Sequence, residues 1–169
     1  MAGSEAEWVE GALCPLATPR FIADEMLQGA GQWLRVAGYD TALPANGTRD
    51  RHILEKAVNE DRWLVTRDRE LARHRLAPQY VILVSGNSLE SNLRDLTRLI
   101  DLDWFLAPFS RCKRCNSPLG NGNPPDAAAE APSDASEVSH CPYCNQVYWL
   151  GSHVRRMRGQ LARFNHWRW

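Results

Sequence analysis

Residues 63–71 read Trp63-Leu64-Val65-Thr66-Arg67-Asp68-Arg69-Glu70-Leu71 (WLVTRDREL), an apolar run that turns abruptly into charge. A short run that is apolar on both faces predicts a strand of a parallel sheet covered by helices on both sides. In such an open sheet, functional groups collect beyond the carboxyl ends of the strands, where loops and helix N-termini converge. Asp68 follows this strand directly and is therefore expected at that edge.

The pattern repeats on either side. Upstream, RFIAD is a strand ending on Asp24, and Met26, Leu27, Ala30, Trp33, Leu34 and Ala37 share one helical face stopped by Gly38. Tyr39 to Leu43 predicts a second strand, PANGT a turn, and Asp50 the cap of a helix whose inner face is Ile53, Leu54, Ala57 and Val58. Downstream, RELARHR predicts a short helix and YVILV a fourth strand. SLESNLRDLTRLI predicts a helix with the stripe Leu89, Leu93, Leu96 and Ile100. Strands alternating with helices make residues 20–108 an α/β domain with a parallel sheet. Residues 1–19, with no sustained period, are expected to be a flexible lead-in.

Composition bounds the rest. The chain has 169 residues, 24% charged and 44% apolar, with a formal net charge of zero, which suits a soluble protein of one main domain plus a small module. No apolar run approaches the roughly 20 residues of a membrane-spanning helix, so no membrane partner is expected. The leader MAGSEAEWVE carries early glutamates and no basic stretch, which makes a cytoplasmic location the expectation. Apart from Lys56 and Lys113, every Lys/Arg position is arginine, the better side chain for bidentate phosphate contact.

Asp24, Asp50 and Asp68, with Glu25 and Glu70 beside two of them, are expected on one edge of the sheet. Carboxylates facing one pocket repel unless a cation neutralises them, and hard oxygen ligands select Mg2+ or Mn2+. Such an ion can activate a water for phosphodiester cleavage, with Arg67 and Arg69 drawing in the phosphate backbone. Asp50 and Asp68 equally suit helix caps.

Past residue 108 the composition changes. Cys112-Lys113-Arg114-Cys115 and Cys141-Pro142-Tyr143-Cys144 each present two thiolates from one turn, the arrangement a tetrahedral structural zinc requires. The same spacing suits an iron–sulfur cluster, and His140 and His153 stand near enough to substitute as ligands. Residues 109–157 are expected to form a zinc ribbon around a flexible loop at about 120–139, rich in Pro, Ala and Ser. Cys14 is a bystander. The basic, aromatic end, 158–169, reads as a tail. Arg155, Arg156 and Arg158, near Phe164, Trp167 and Trp169, suit single-stranded RNA, while packing of Trp149 and nearby rings against the domain is the alternative.

The series FIADEML, WLRVAGYDT, DRHILEKA, WLVTRDREL, RCKRCNSPL and CPYCNQVYWLGSHVRRM is similar to the Mut7-C ribonuclease family, PIN-like nucleases carrying a C-terminal zinc ribbon. The likeness runs from about Arg20 to about Met157. It implies a metal-dependent ribonuclease with acids at Asp24, Asp50 and Asp68, Glu25 and Glu70 being secondary. The chain departs from the family's basic first helix in carrying Gln32 within LQGAGQWLR. A non-catalytic RNA-binding protein and a toxin-type nuclease of a toxin–antitoxin pair are the alternatives. A phosphoacceptor receiver lacks its lysine, and Gly29-Ala30-Gly31 does not complete a dinucleotide motif.

Overall fold

A computed structural model describes residues 18–124 and 131–168. The lead-in through residue 17, Cys14 within it, residues 125–130 of the ribbon loop and Trp169 lie outside the described residues.

Four parallel strands, β1 (Phe21–Ala23), β2 (Thr41–Ala42), β3 (Trp63–Thr66) and β4 (Val81–Leu83), form a sheet in the order β2-β1-β3-β4. Ala23 pairs in register with Val65 and Thr66 with Leu83, so Asp24 and Arg67 leave the sheet on the same edge. Alternate strand residues face opposite layers, as the two-residue period of a strand requires. Phe21, Ala23, Val65 and Ile82 pack on α1 (Gln28–Val36) and α5 (Leu89–Ile100), whereas Ile22 and Leu64 pack on α2 (Asp50–Asn59) and Leu71. The expected α/β architecture with helices on both faces is thus the observed one.

Local departures have local causes. Asp50 does not cap α2: Arg49 occupies the cap position in extended conformation, and no side chain caps the helix. Asp50 is the first helical residue, where its charge complements the helix dipole. Met26 lies in a 3-10 turn (Glu25–Leu27) ahead of α1 and is 70% exposed, so it is not part of the inward face. Leu89 is likewise exposed, because Ser88 starts α5 in a capping box that holds the first turn at the surface. After α3 (Arg69–Ala72), a further short helix, α4 (Ala77–Tyr80), precedes β4, with Pro78 in its first turn.

The cysteine segment forms a three-stranded antiparallel sheet, β5 (Gly120–Asn121), β6 (Ser139–His140) and β7 (Val147–Tyr148). The last α-helix, α6 (Ser152–Asn165), runs through the position where a tail was expected to begin, and a 3-10 turn (His166–Arg168) follows it. Residue 158 lies inside this helix, whose Val154, Met157, Leu161 and Phe164 join the core of the α/β sheet beside Leu34, Leu93 and Trp104. Phe164 meets Trp33 and Trp104 edge-on and stacks on Trp167 at 4.9 Å, while Arg94 lies over the Trp167 ring. An apolar stripe with a 3.6-residue period, inconspicuous among arginines, makes this segment structural. No helix among the described residues is long and apolar enough to cross a membrane.

The ribbon docks on the edge of the parallel sheet opposite to Asp24. Arg35, buried near the end of α1, donates to the carbonyls of Thr41, Lys113 and Arg114 at 2.7–3.1 Å. Asn116 accepts from the Thr41 amide at 3.0 Å and donates to Asp40 at 2.7 Å. Asp40 in turn binds the buried Arg62 at 2.8 Å. Burial acts to raise the Asp40 carboxyl, but the hydrogen bonds from Arg62, Asn116 and Arg20 outweigh it and hold this group below the usual carboxylate range. Gly38 makes the neighbouring turn possible: its φ is 103°, and a side chain there would meet the Ala107 carbonyl oxygen at 2.5 Å.

Candidate functional site

Beyond the carboxyl ends of the strands, Asp24 and Asp68 are keyed together by a residue the sequence did not single out. Asp24, 8% exposed, accepts from the Glu25 amide at 2.6 Å and from the Thr66 hydroxyl at 2.9 Å. The same hydroxyl oxygen accepts from the Asp68 amide at 2.9 Å. Thr66, fully buried at the end of β3, therefore fixes one carboxylate directly and the other through its backbone. A hydroxyl at the end of an apolar strand, two residues before an acid, is the sequence signal for such a residue. Asp68 also caps α3, accepting from the Glu70 amide at 2.7 Å, so it fills the capping role that Asp50 does not.

Asp50, Asp68 and Glu70 line one cavity of about 630 Å3 between α2 and the α3–α4 segment. Glu55, Arg51, Arg75 and His74 line it too, so four carboxylates face two guanidiniums. Arg51 is paired with Glu55 and Glu70 with Arg73, whereas Arg75 is exposed and has no partner among the described residues. Arg51, His74 and Arg75 were not anticipated: RDRHILEK and RELARHR read as plain helices, and only tertiary packing turns one side of each towards the other.

The acids do not all converge to ligand distance. Among the described residues, Cys112, Cys115, Cys141 and Cys144 alone form a group of three or more ligand side chains with donor atoms within 4.8 Å of one another. Asp24 is not part of the cavity lining, and Glu25 turns away to accept from the Gly47 amide at 3.0 Å. The acids therefore form no closed all-carboxylate cage. Carboxylate oxygens are the ligand type Mg2+ takes, and an ion that keeps several waters can be held through water by acids beyond ligand distance.

The arginines divide into engaged and open ones. Arg67 donates to Asn87 at 2.9 Å, and Arg158 pairs with Glu137 at 3.0 Å while lying over the Phe109 ring. Arg69, Arg155 and Arg156 are exposed without a partner among the described residues. Trp149 sits at the ribbon surface, 36% exposed, instead of packing into the core.

The four thiols approach one another, with Sγ separations of 3.6 Å for Cys112 and Cys144 and 3.2 Å for Cys115 and Cys141. The first spacing is close to the edge of about 3.8 Å of a tetrahedron built on Zn–S bonds of about 2.3 Å, and the second is shorter than that edge. Cys112 and Cys141 are fully buried, and backbone amides of the knuckles point inward, as Cys144 N–H does to Cys141. Burial raises the Cys115 thiol, but the Ser117 amide and hydroxyl and the neighbouring thiols outweigh it and bring the group down to about 6. Burial pushes Cys144 up to about 12, aided by Cys112 and Cys141. Four such sulfurs can hold a zinc ion. His140 instead faces the Gly122 carbonyl at 3.0 Å.

An α/β sheet with carboxylates at its carboxyl edge, joined to a four-thiol module on the opposite edge, defines a two-part chain of nuclease type. It belongs to the Mut7-C RNAse domain family, which matches residues 19–161. The chain is thus a member of a ribonuclease family, and RNA is the class of partner that membership implies. No curated protein and no solved structure matches the chain.

Proposed function

We propose that the protein is a metal-dependent ribonuclease that hydrolyses phosphodiester bonds of single-stranded RNA at the carboxyl edge of its parallel sheet. The observation that supports this most is the cavity shared by Asp50, Asp68 and Glu70, with Asp24 tied to the same edge through Thr66, in a member of a ribonuclease family. Asp24, Asp50 and Asp68 would hold Mg2+ or Mn2+, with Glu70 and, more remotely, Glu25 as auxiliary acids. The bound ion would supply an activated water and charge neutralisation at the phosphate.

The chain's own residues do the remaining work. Thr66 orients Asp24 and fixes the backbone that presents Asp68. Arg75 at the cavity, with Arg67 and Arg69 on either side of Asp68 in the chain, attracts the phosphodiester, and their positive charge offsets the excess of carboxylates only in part. Arg155 and Arg156 on α6 extend the basic surface, whereas Arg158 must leave Glu137 to contribute. The four-cysteine centre, filled by zinc, closes a module too small to fold on its own apolar core, and its reduced thiols suit the cytoplasm.

The test is cleavage of a single-stranded RNA labelled in turn at each end, with Mn2+ as the added ion. Wild type cuts, Asp68→Asn loses at least a hundredfold in rate, and both proteins keep their zinc content and melting temperature. Binding of RNA by intact wild type with no metal-dependent cutting on several RNAs would refute the enzyme reading in favour of a non-catalytic RNA-binding protein. Restoration of cutting only after removal of a co-purifying small protein would mark a toxin-type nuclease.

A further inference from the structure

A second cavity, of about 420 Å3, lies on the ribbon and the start of α6, away from the acids. Its walls include the aromatic side chains of Tyr148 and Trp149 and the cationic ones of Lys113 and Arg114, with His153 at its rim and no carboxylate in its lining. The volume falls within the range of small-molecule sites, roughly 300–1,000 Å3. In a chain of zero net charge, this concave patch gathers two cations and two rings without an acid.

The rings have distinct duties. Tyr148 is committed: its hydroxyl accepts from the Lys113 amide at 3.1 Å and contacts Cys112 Sγ at 3.3 Å, so its ring is a fixed wall tied to the thiol knuckle. Trp149 is open, and its indole N–H makes no hydrogen bond among the described residues. Gly151 allows the indole to lie against the backbone at the start of α6, since a side chain there would meet Trp149 Nε1 at 2.8 Å. The first turn of α6 carries no acid to repel an anion.

We propose that this cavity is a nucleotide subsite, in which an unpaired base stacks on Trp149 and the adjoining phosphate is met by Arg114 and Lys113. A planar group beside a phosphate is the ligand for which a ring wall and a pair of cations are complementary, and every base offers a face, so the subsite need not read sequence. The inference rests on the RNA reading above and deepens it. Arg35 clamps the Lys113 and Arg114 carbonyls at the sheet edge opposite to Asp24. The subsite and the acids are therefore separated by at least the length of β1, about 10 Å at the usual rise per residue. A single RNA strand engages both only if it crosses the molecule, so affinity and KM improve with RNA length until both ends of that path are occupied.

The experiment uses full-length, zinc-loaded Asp68→Asn, which binds without turnover, and a fluorescein-labelled U12 oligonucleotide read by anisotropy. Trp149→Ala is expected to weaken binding roughly tenfold or more, and Trp149→Tyr to recover most of it. Arg114→Gln is expected to lower the slope of log K against log salt by about 0.7, one phosphate contact on a single strand. Metal content and melting temperature, measured alongside, show that each variant is folded. If Trp149→Ala loses its metal, Arg114→Gln and the comparison of U4 with U12 carry the test. Unchanged affinity and salt slope in folded variants would overturn the subsite while leaving the ribonuclease reading intact. Absence of binding by both Asp68→Asn and wild type would overturn both.

Discussion

Replacing Thr66 by valine keeps the shape of the side chain and removes the hydroxyl that joins the two acids. Two buried hydrogen bonds disappear, one to the Asp24 carboxylate at 2.9 Å and one from the Asp68 amide at 2.9 Å. A hydrogen bond to a charged group contributes about 1.5–3 kcal/mol and a neutral one about 1 kcal/mol. The added methyl offsets up to about 0.8 kcal/mol by burial. The net loss is therefore about 2–3 kcal/mol, which for a chain of this size lowers the melting temperature by roughly 4–12 °C. Oδ2 of Asp24, in a residue only 8% exposed, is left without a donor among the described residues. Asp24 and Asp68 lose their shared reference point, so the Mn2+ concentration needed for half-maximal cleavage should rise together with the loss of stability. Thr66→Ser, which keeps both bonds and loses one methyl, should cost only about 0.5–1.5 kcal/mol, by analogy with Ile→Val. The assays are thermal melting and an Mn2+ titration of RNA cleavage on wild type and both variants. A Thr66→Val protein that melts within a degree of wild type and needs no more Mn2+ would refute the idea that this hydroxyl organises the acids.

Three further outcomes follow from the packing and the charges. Purified protein should contain a single equivalent of zinc and show no visible absorbance, and Cys141→Ala should lose that zinc and melt lower; elemental analysis and absorption spectroscopy decide between zinc and an iron–sulfur cluster. Leu161→Ala, at a position with no solvent exposure in the core under α6, should destabilise the fold by about 2–5 kcal/mol in urea denaturation, whereas a frayed tail would tolerate it. Asp40 is ionised in the folded chain to lower pH than in the unfolded chain, through Arg62 and Asn116 against the opposing effect of burial. Its contribution is therefore fully present above the unfolded value of about 3.9 and is lost as pH falls below it. Urea midpoints measured from neutral to strongly acidic pH should fall less steeply for Asp40→Asn than for wild type.

Much of this protein is legible locally. WLVT and FIA alternate between two buried layers because their residues are apolar on both faces, and a short two-faced strand has few other places to go. The acids that follow these strands land on one edge because parallel pairing in register puts like ends together. CxxC brings two sulfurs to one turn whatever surrounds it. Asp50, Asp68 and Asp24 were thus recognisable as edge residues, although which of them cap helices was not, since a shift of one residue at Arg49 moves Asp50 from cap to first turn.

Tertiary structure alone decided the rest. Arg35 in WLRVAG looks like a surface arginine, and becomes a buried clamp only because the Lys113 and Arg114 carbonyls arrive from some 80 residues away in sequence. The basic stretch after residue 157 reads as a tail because charge dominates its composition, yet its few apolar residues share a helical face that the α/β core covers. The cavity shared by Asp50 and Asp68 likewise needs α2 and α3 side by side. Pattern and spacing report what a residue's near neighbours along the chain impose. Docking of the ribbon on the far edge of the sheet, the burial of α6 and the pairing of acids through Thr66 depend on contacts between distant segments, and those exist only once the chain has folded.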